Sequence, residues 1–375
     1  MNRVVMDGAD QQSILRRVLD AFRLDPTLVV LLAILSTFGL ITLYSAGGGN
    51  MDLMLRQLTR LGLASVLMIA VANVSLRVLK KMSLWFYIGG VLLLVAVIAF
   101  GEIGKGAQRW LDLGFIRFQP SEFMKLAMPM MLASYLSDKV LPVGWKDLLA
   151  SAVMVMLPVL LIAKQPDLGT ALLVGSAGFF VLFLAGVRWK ILMILGLVAA
   201  ALAPLLWKFA LHDYQRGRIL TMLNPESDPL GSGYHIIQSK IAIGSGGFYG
   251  KGWLNGTQSQ LNFIPERSTD FIFSVFGEEF GLSGALILVF LYLLIIYRGL
   301  FIAALCQDNY GRLLAGALSL TFFVYLFVNT GMVTGLLPVV GVPLPLVSYG
   351  GTSMVTLMVG FGMIMAVGSA RRFLR

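Results

Sequence analysis

One carboxylate, Asp270, sits where a polar run, Pro265-Glu266-Arg267-Ser268-Thr269, gives way to an apolar one, Phe271-Ile272-Phe273. An aspartate with an ordinary pKa near ~3.9 is ionised at neutral pH. Placed at the mouth of an apolar segment, such a charge marks a position where something polar is handled beside lipid. Asp270 is therefore the first candidate for chemistry, with capping of the helix that follows Phe271 as its structural alternative. A set of cations forms the second candidate group: Arg56, Arg60, Lys105, Arg109, Arg117, Lys164, Arg216, Arg218, Lys240, Lys251 and Arg267. Each alone reads as a solvated or interfacial charge. Together they suggest an anionic ligand, although a formal net charge of +10 would equally suit anionic lipid.

Three further groupings carry polar chemistry into apolar surroundings. In the stretch from Gln108 to Lys125, Pro120 and its polar neighbours read as a helix start, which places Glu122 and Lys125 on one helix face. Two opposite charges inside a span are most simply partners, and the pair serves equally as a packing device or as the polar floor of a cavity. Gln165-Pro166-Asp167-Leu168-Gly169-Thr170 is a tight turn in which Asp167 caps the next helix and still lies close enough to face the same cavity. From Asn329 to Ser353, Pro338, Pro343, Pro345 and the pair Gly350-Gly351 break helix within apolar sequence. Irregular backbone at membrane depth is tolerated only when buried in protein or lining a wet cavity, so this segment, including Ser348 and Ser353, is expected to line one.

Other chemistries are poorly represented. The single cysteine, Cys306, excludes an internal disulfide and a cysteine-rich metal cluster. The two histidines, His212 and His235, stand at no paired metal-ligand spacing and read as loop hydrogen-bonding residues. No phosphate-cradling glycine motif of the nucleotide-binding kind is present.

The elements that must position these groups follow from composition. With 58% hydrophobic and 13% charged residues in 375, the chain reads as an all-α integral membrane protein. Apolar runs recur over 25–45, 61–74, 84–100, 123–136, 148–162, 168–186, 191–207, 275–297, 313–333 and 352–367, giving about ten transmembrane helices. The division expected is a cytoplasmic segment 1–24, helices 1–7 within 25–210, a large extracytoplasmic loop 211–274, helices 8–10 within 275–370, and a cytoplasmic end 371–375. Arg16, Arg17, Arg23, Arg77, Lys80, Lys81, Lys139, Lys146, Arg188, Lys190, Arg298, Arg312, Arg371, Arg372 and Arg375 fall at alternate connections, so both termini are expected to be cytoplasmic. The glycines of the large loop, among them Gly244, Gly246, Gly247 and Gly250, suggest a flexible segment.

The residues from Asn329 to Ser353 and from Pro265 to Phe271 resemble the signature of the SEDS (shape, elongation, division and sporulation) family, with order and loop placement similar across nearly the whole chain. One departure is Ser268, where the family pattern carries histidine. The resemblance implies ten transmembrane helices in the bacterial inner membrane. It further implies polymerisation of lipid II into glycan strands during elongation, together with a class B penicillin-binding protein, and no nucleic-acid partner. Carried onto this sequence, it makes Asp270 the catalytic carboxylate and sets Arg109, Glu122, Lys125, Asp167 and the Ser348-to-Ser353 turn around a central cavity. Transfer from an α-linked donor to a β-linked product inverts, and Asp270 would be the general base. Departure of lipid pyrophosphate needs positive charge, supplied by some of Arg109, Lys125, Arg216, Arg218, Lys240 and Arg267 or by a divalent cation such as Mg2+ or Mn2+, with no organic cofactor. The rival reading is a transporter that flips lipid II, using the same helices and cavity.

Overall fold

A computed structural model describes residues 22–370 except 105–106, 113–116, 141, 210–212 and 229–230. Lys105, His212 and the terminal arginines Arg16, Arg17, Arg371, Arg372 and Arg375 lie outside the described residues. The elements in order are α1 (Pro26–Ala46), α2 (Met51–Ala72), α3 (Leu76–Phe100), strands β1 (Glu102–Gly104), β2 (Ala107–Asp112) and β3 (Arg117–Phe118), then α4 (Pro120–Ser137), α5 (Trp145–Lys164), α6 (Leu168–Leu184) and α7 (Trp189–Phe209). After these come α8 (Asp213–Leu223), α9 (Ser232–Ser245), the short α10 (Thr257–Gln260), α11 (Ile272–Leu305), α12 (Asn309–Val333) and α13 (Thr352–Ala370). The protein is an all-α membrane protein to which a small antiparallel sheet, in the order β1-β2-β3, is added between α3 and α4.

Seven helices, α1, α2, α3, α5, α11, α12 and α13, are long and apolar enough to cross a membrane by length and composition. α6 is a shorter apolar helix, and α4 carries the Glu122–Lys125 pair within its first turns. Several helices begin earlier than the apolar runs: α2 starts at Met51 rather than Leu61, and α3 at Leu76 rather than Leu84. Their polar first turns, holding Arg56 and Arg60 or Arg77, Lys80 and Lys81, satisfy the backbone as helix all the same.

Enclosure is uneven. In α12 and α13, 72% and 67% of the apolar window is buried, against 17% in α2 and α5, so α12 and α13 form the centre and α2 and α5 face outward. α12 packs on α4, α6, α11 and α13, and α13 closes against α2. α11 is two helices broken at Gly281, whose φ of 65° and ψ of −164° lie outside the helical region.

The connections sort to two ends. At one end, Arg298 pairs with Asp25 (2.7 Å), Lys80 with Asp138 (2.6 Å) and Lys139 with Asp147 (3.2 Å), so cations read as flanking the spans find acids there. At the other, the last turn of α1 meets the segment before α11 and α11 itself: Tyr44 packs on Trp253 with ring centroids 5.9 Å apart, and Ser45 hydrogen-bonds Glu279.

Candidate functional site

The residues 264–270 form a series of turns leading into α11. Ile264 is buried and Asp270 half-buried. Three residues on two elements hold this segment by its main chain. Asn329 Nδ2 on α12 donates to the Asp270 carbonyl (2.9 Å) and also to the Val342 carbonyl (2.8 Å). Ser348 Oγ donates to the Thr269 carbonyl (2.6 Å), and the Tyr349 amide to the Ser268 carbonyl (2.8 Å). The residue at the cap of α11 is Phe271, which makes no side-chain cap bond, so the helix start does not use Asp270 as its N-cap. Ser268 is engaged through its backbone carbonyl.

The irregular segment between α12 and α13 descends into the bundle. Tyr292 OH donates to the Pro345 carbonyl (2.6 Å), and a Cβ on Gly39, midway along α1, would stand 2.5 Å from the Leu346 carbonyl oxygen. Gln57 on α2 donates to the Ser348 carbonyl (3.1 Å), and Arg60 lies over the Tyr349 ring, 4.6 Å from its centroid. Leu346 (φ 61°) and Glu266 (φ 51°) occupy a left-handed conformation costly for such side chains, and strain of this kind persists only where surrounding contacts fix it. Gly341 has a φ of 74°, which favours glycine, and a Cβ there would sit in van der Waals contact with Asp270 Oδ2, at 3.4 Å.

Around this core the candidate residues fall into three groups. The first lies against or beside the 335–342 segment, whose Gly341 faces Asp270. Arg218 Nη1 donates to the Val339 carbonyl (2.8 Å), and the Lys240 ammonium crosses Gly335, 2.8 Å from where a Cβ would be. Asp167 caps α6 by accepting from the Thr170 amide (3.3 Å), accepts from Gln119 (3.0 Å), and stands 3.8 Å from the Arg109 guanidinium, which itself donates to the Pro166 carbonyl. Asp167 thus caps α6 as expected, and Gly169 in the same turn brings α6 against Val340 and Val342.

The second group lies deeper. Lys125 Nζ is 2.6 Å from Glu122 Oε1, both side chains being less than a tenth exposed, and lies 5.0 Å from the centre of the Tyr325 ring. Thr321, Tyr325 and Asn329 follow one another at helical i, i+4 spacing on the buried face of α12. This polar stripe runs from the Glu122–Lys125 pair to the carbonyl of Asp270 in roughly two turns. Ser353, buried on its hydroxyl oxygen, opens α13 beside it.

The third group stands apart. Arg216 is engaged by Asp213 (3.4 Å) and the Lys208 carbonyl (2.8 Å), contacts that hold it at the α7–α8 junction. Arg267 turns away from the Asp270 side of its loop and donates to the Ser259 carbonyl. His235 stacks on Phe271 with ring centroids 5.6 Å apart, and burial pushes its imidazole pKa down, opposed by the nearby Glu266 charge. Among the described residues no three His, Cys, Asp or Glu side chains gather where they could hold a metal ion.

A family model describing the FtsW/RodA/SpoVE cell cycle proteins matches residues 25–372. The chain belongs to this family. It is 53% identical to the peptidoglycan glycosyltransferase MrdB of Escherichia coli K12 over 95% of this chain and 96% of that one. It is 36% identical to a probable peptidoglycan glycosyltransferase FtsW of Geobacter metallireducens, covering 92% and 95%. Among solved structures, the chain is similar to one in work on structural coordination of polymerization and crosslinking by a peptidoglycan synthase complex: TM-score 0.81, 35% identity, 92% and 98% covered. It is also similar to the rod shape determining protein RodA of Thermus thermophilus, with a TM-score of 0.70, 31% identity, and 92% and 97% covered.

In this FtsW/RodA/SpoVE family member, sequence reasoning passed over several site-forming residues. Asn329 and Gln57 are almost wholly buried amides, and Tyr325 lies under the buried lysine. Glu278 and Glu279, 0% and 1% exposed, stand inside what reads as an apolar run from Val275. Their signal was available, since two adjacent carboxylates within a span cannot both face lipid.

Proposed function

We propose that this chain is a peptidoglycan glycosyltransferase that polymerises lipid II into glycan strands during cell elongation, with Asp270 as its general base. The observation that carries the reading is the Asp270 loop, pinned through its carbonyls by Asn329, Ser348 and Tyr349 at an irregular intramembrane segment. The acceptor's sugar hydroxyl attacks the donor's anomeric carbon. A new C–O bond forms on one face as the bond to lipid pyrophosphate breaks on the other, which inverts the linkage, and the hydroxyl proton passes to Asp270. A base in that role contributes ~10²–10⁴-fold in rate. Negative charge develops on the departing pyrophosphate, and cations already aimed at that region stabilise it. Arg218, Lys240 and Arg109 are the best placed of those named, since each touches or abuts the segments around Gly341 or Asp167. Glu122 and Lys125 form the floor, and Arg216 and Arg267 are engaged by Asp213, the Lys208 carbonyl and the Ser259 carbonyl.

A divalent cation, Mg2+ or Mn2+, would find no three-ligand protein cluster among the described residues. Pyrophosphate oxygens would supply most of its ligands, with Asp270 or Asp167 as the chain's contribution, and its chemistry would be charge neutralisation on the leaving group. The reading extends to ten spans in the bacterial inner membrane with both termini cytoplasmic. It also includes a class B penicillin-binding protein as the crosslinking partner.

The test uses purified wild-type protein and Asp270→Asn, each with a cognate class B penicillin-binding protein and labelled lipid II in detergent, with products resolved on a gel. Glycan from the wild type and a loss of at least ~10²-fold in the variant are expected. Full polymerisation by Asp270→Asn removes the general-base assignment, and no polymer from wild type with partner bound turns the question to a lipid II flipping assay.

A further inference from the structure

Glu278 is the most enclosed carboxylate among the described residues, at 0% exposure, and glycosyl transfer as derived above gives it no part. An ionised carboxylate survives such burial only when paired and hydrogen-bonded. Its Oε1 accepts from Lys251 Nζ (2.7 Å), Thr257 Oγ1 (3.2 Å) and the Gln258 amide (2.9 Å), and its Oε2 from the Ser259 amide (3.2 Å). All four donors belong to one segment, 251–259, and none to a neighbouring span. That segment leads directly to the Asp270 loop, because the Ser259 carbonyl accepts from the Arg267 guanidinium.

Resting on the glycosyltransferase reading, we propose that Glu278 is a positioning residue: its carboxylate latches the 251–259 segment to α11 and, through Ser259 and Arg267, fixes the loop that presents Asp270. The backbone around it is built for the same purpose. The Lys251 and Gly252 amides donate to the Glu278 and Glu279 carbonyls (3.0 and 2.9 Å), and the Leu282 and Ser283 amides to those of Gly247 and Phe248 (2.9 and 3.0 Å). The break at Gly281 frees α11 to make this pairing. A Cβ on Gly246, Gly250 or Gly281 would collide with the opposing backbone. Gly246 and Gly250, which read as part of a flexible segment, are thus points of close approach, and the latch closes the far end of the paired region. Gly256 belongs to it as well, since a Cβ there would lie 2.9 Å from Glu278 Oε2.

Glu278→Gln is the informative variant, because it keeps the side-chain volume while turning one acceptor oxygen into a donor. In either amide orientation at least one of Lys251, Gln258 and Ser259 loses its acceptor. With full-length protein, its penicillin-binding partner and lipid II, kcat is expected to fall about tenfold or more while KM stays within about threefold. Arg267→Ala and Glu278→Gln lie on one line of contacts, so the double variant is expected to lose no more than about threefold beyond the worse single variant. Amide hydrogen exchange supplies a readout independent of turnover: the Gln258 and Ser259 amides should exchange at least about tenfold faster in Glu278→Gln. A kcat within about twofold of wild type, losses that multiply in the double variant, or unchanged exchange at Gln258 and Ser259 would each overturn the latch. Absence of polymer from wild type would count against the glycosyltransferase reading, and the exchange measurement would still decide whether the latch exists.

Discussion

Replacing Gly169 by alanine places a methyl group 2.8 Å from the Val340 carbonyl oxygen and 3.2 Å from Val342 Cγ2. Ordinary carbon contacts begin near ~3.4–3.5 Å, so the Val340 peptide must withdraw by roughly 0.6 Å or α6 must shift by as much. Gly341 follows Val340, and its Cα faces Asp270 Oδ2, so the displacement reaches the carboxylate through one peptide unit. A misplacement of 1 Å at a reacting group costs up to ~10²-fold, which scales to a kcat loss of about tenfold here. Stability is expected to fall by no more than about 2 kcal/mol, because alanine favours a helix over glycine by up to ~1 kcal/mol while overpacking costs ~1–3 kcal/mol. The assay is lipid II polymerisation beside a thermal unfolding midpoint, with Gly62→Ala as the control. Nothing in the protein lies within 4 Å of a Cβ at Gly62, so that variant should keep its kcat. A Gly169→Ala enzyme with wild-type kcat would refute the argument that the Val340–Gly341 backbone sets the position of Asp270.

Two other expectations concern stability. Lys125→Met strands the Glu122 carboxylate in the bundle and should destabilise by about 3–5 kcal/mol, whereas adding Glu122→Gln should restore most of the loss, read as thermal midpoints in detergent; equal midpoints for single and double variants would show that the pair is not held as an ion pair. His235 has a folded-state pKa below its ordinary value, so burial favours the neutral ring. Its stabilising contribution is complete above the ordinary value of ~6.5 and is lost as pH falls toward and through the lowered one. His235→Gln should flatten that part of the stability–pH curve, and an unchanged acid limb would exclude His235 as its source.

What could be read from sequence was whatever polar chemistry interrupts apolar runs. Asp270, the Glu122–Lys125 pair and the helix breaks between Asn329 and Ser353 announced themselves because charge or proline in an apolar stretch is costly and needs a reason. Gln57 escaped because a hydropathy run starts at Leu61, where lipid-facing sequence starts, while the helix starts at Met51. The strands within 102–118 escaped for a related reason: segments of two to six residues carry too little alternation to be told from loop. Glu278 and Glu279 were absorbed into an apolar average, and only the fold reveals that the 251–259 segment comes back to satisfy Glu278. Arg216 shows the opposite error. A list of cations cannot tell a side chain bound at its own helix start from one that reaches across to another element, as Arg218 does to Val339.

The way the Asp270 loop is held bears on how any variant there must be interpreted. Asn329, Ser348 and Tyr349 all grip main-chain carbonyls, at Asp270, Thr269 and Ser268 respectively. None of these bonds depends on which side chain residue 270 carries. The helix after it does not depend on that side chain for its cap either, since Phe271 occupies the cap position. Backbone-held loops separate position from chemistry, because these three bonds survive a change of side chain at residue 270. The converse holds for Asn329→Leu, which leaves Asp270 chemically intact and deprives two buried carbonyls of their donor, at Asp270 and Val342. Loss of rate in that variant with Asp270 unchanged would arise from position alone, and its comparison with Asp270→Asn apportions the site between the carboxylate and the amide that holds it.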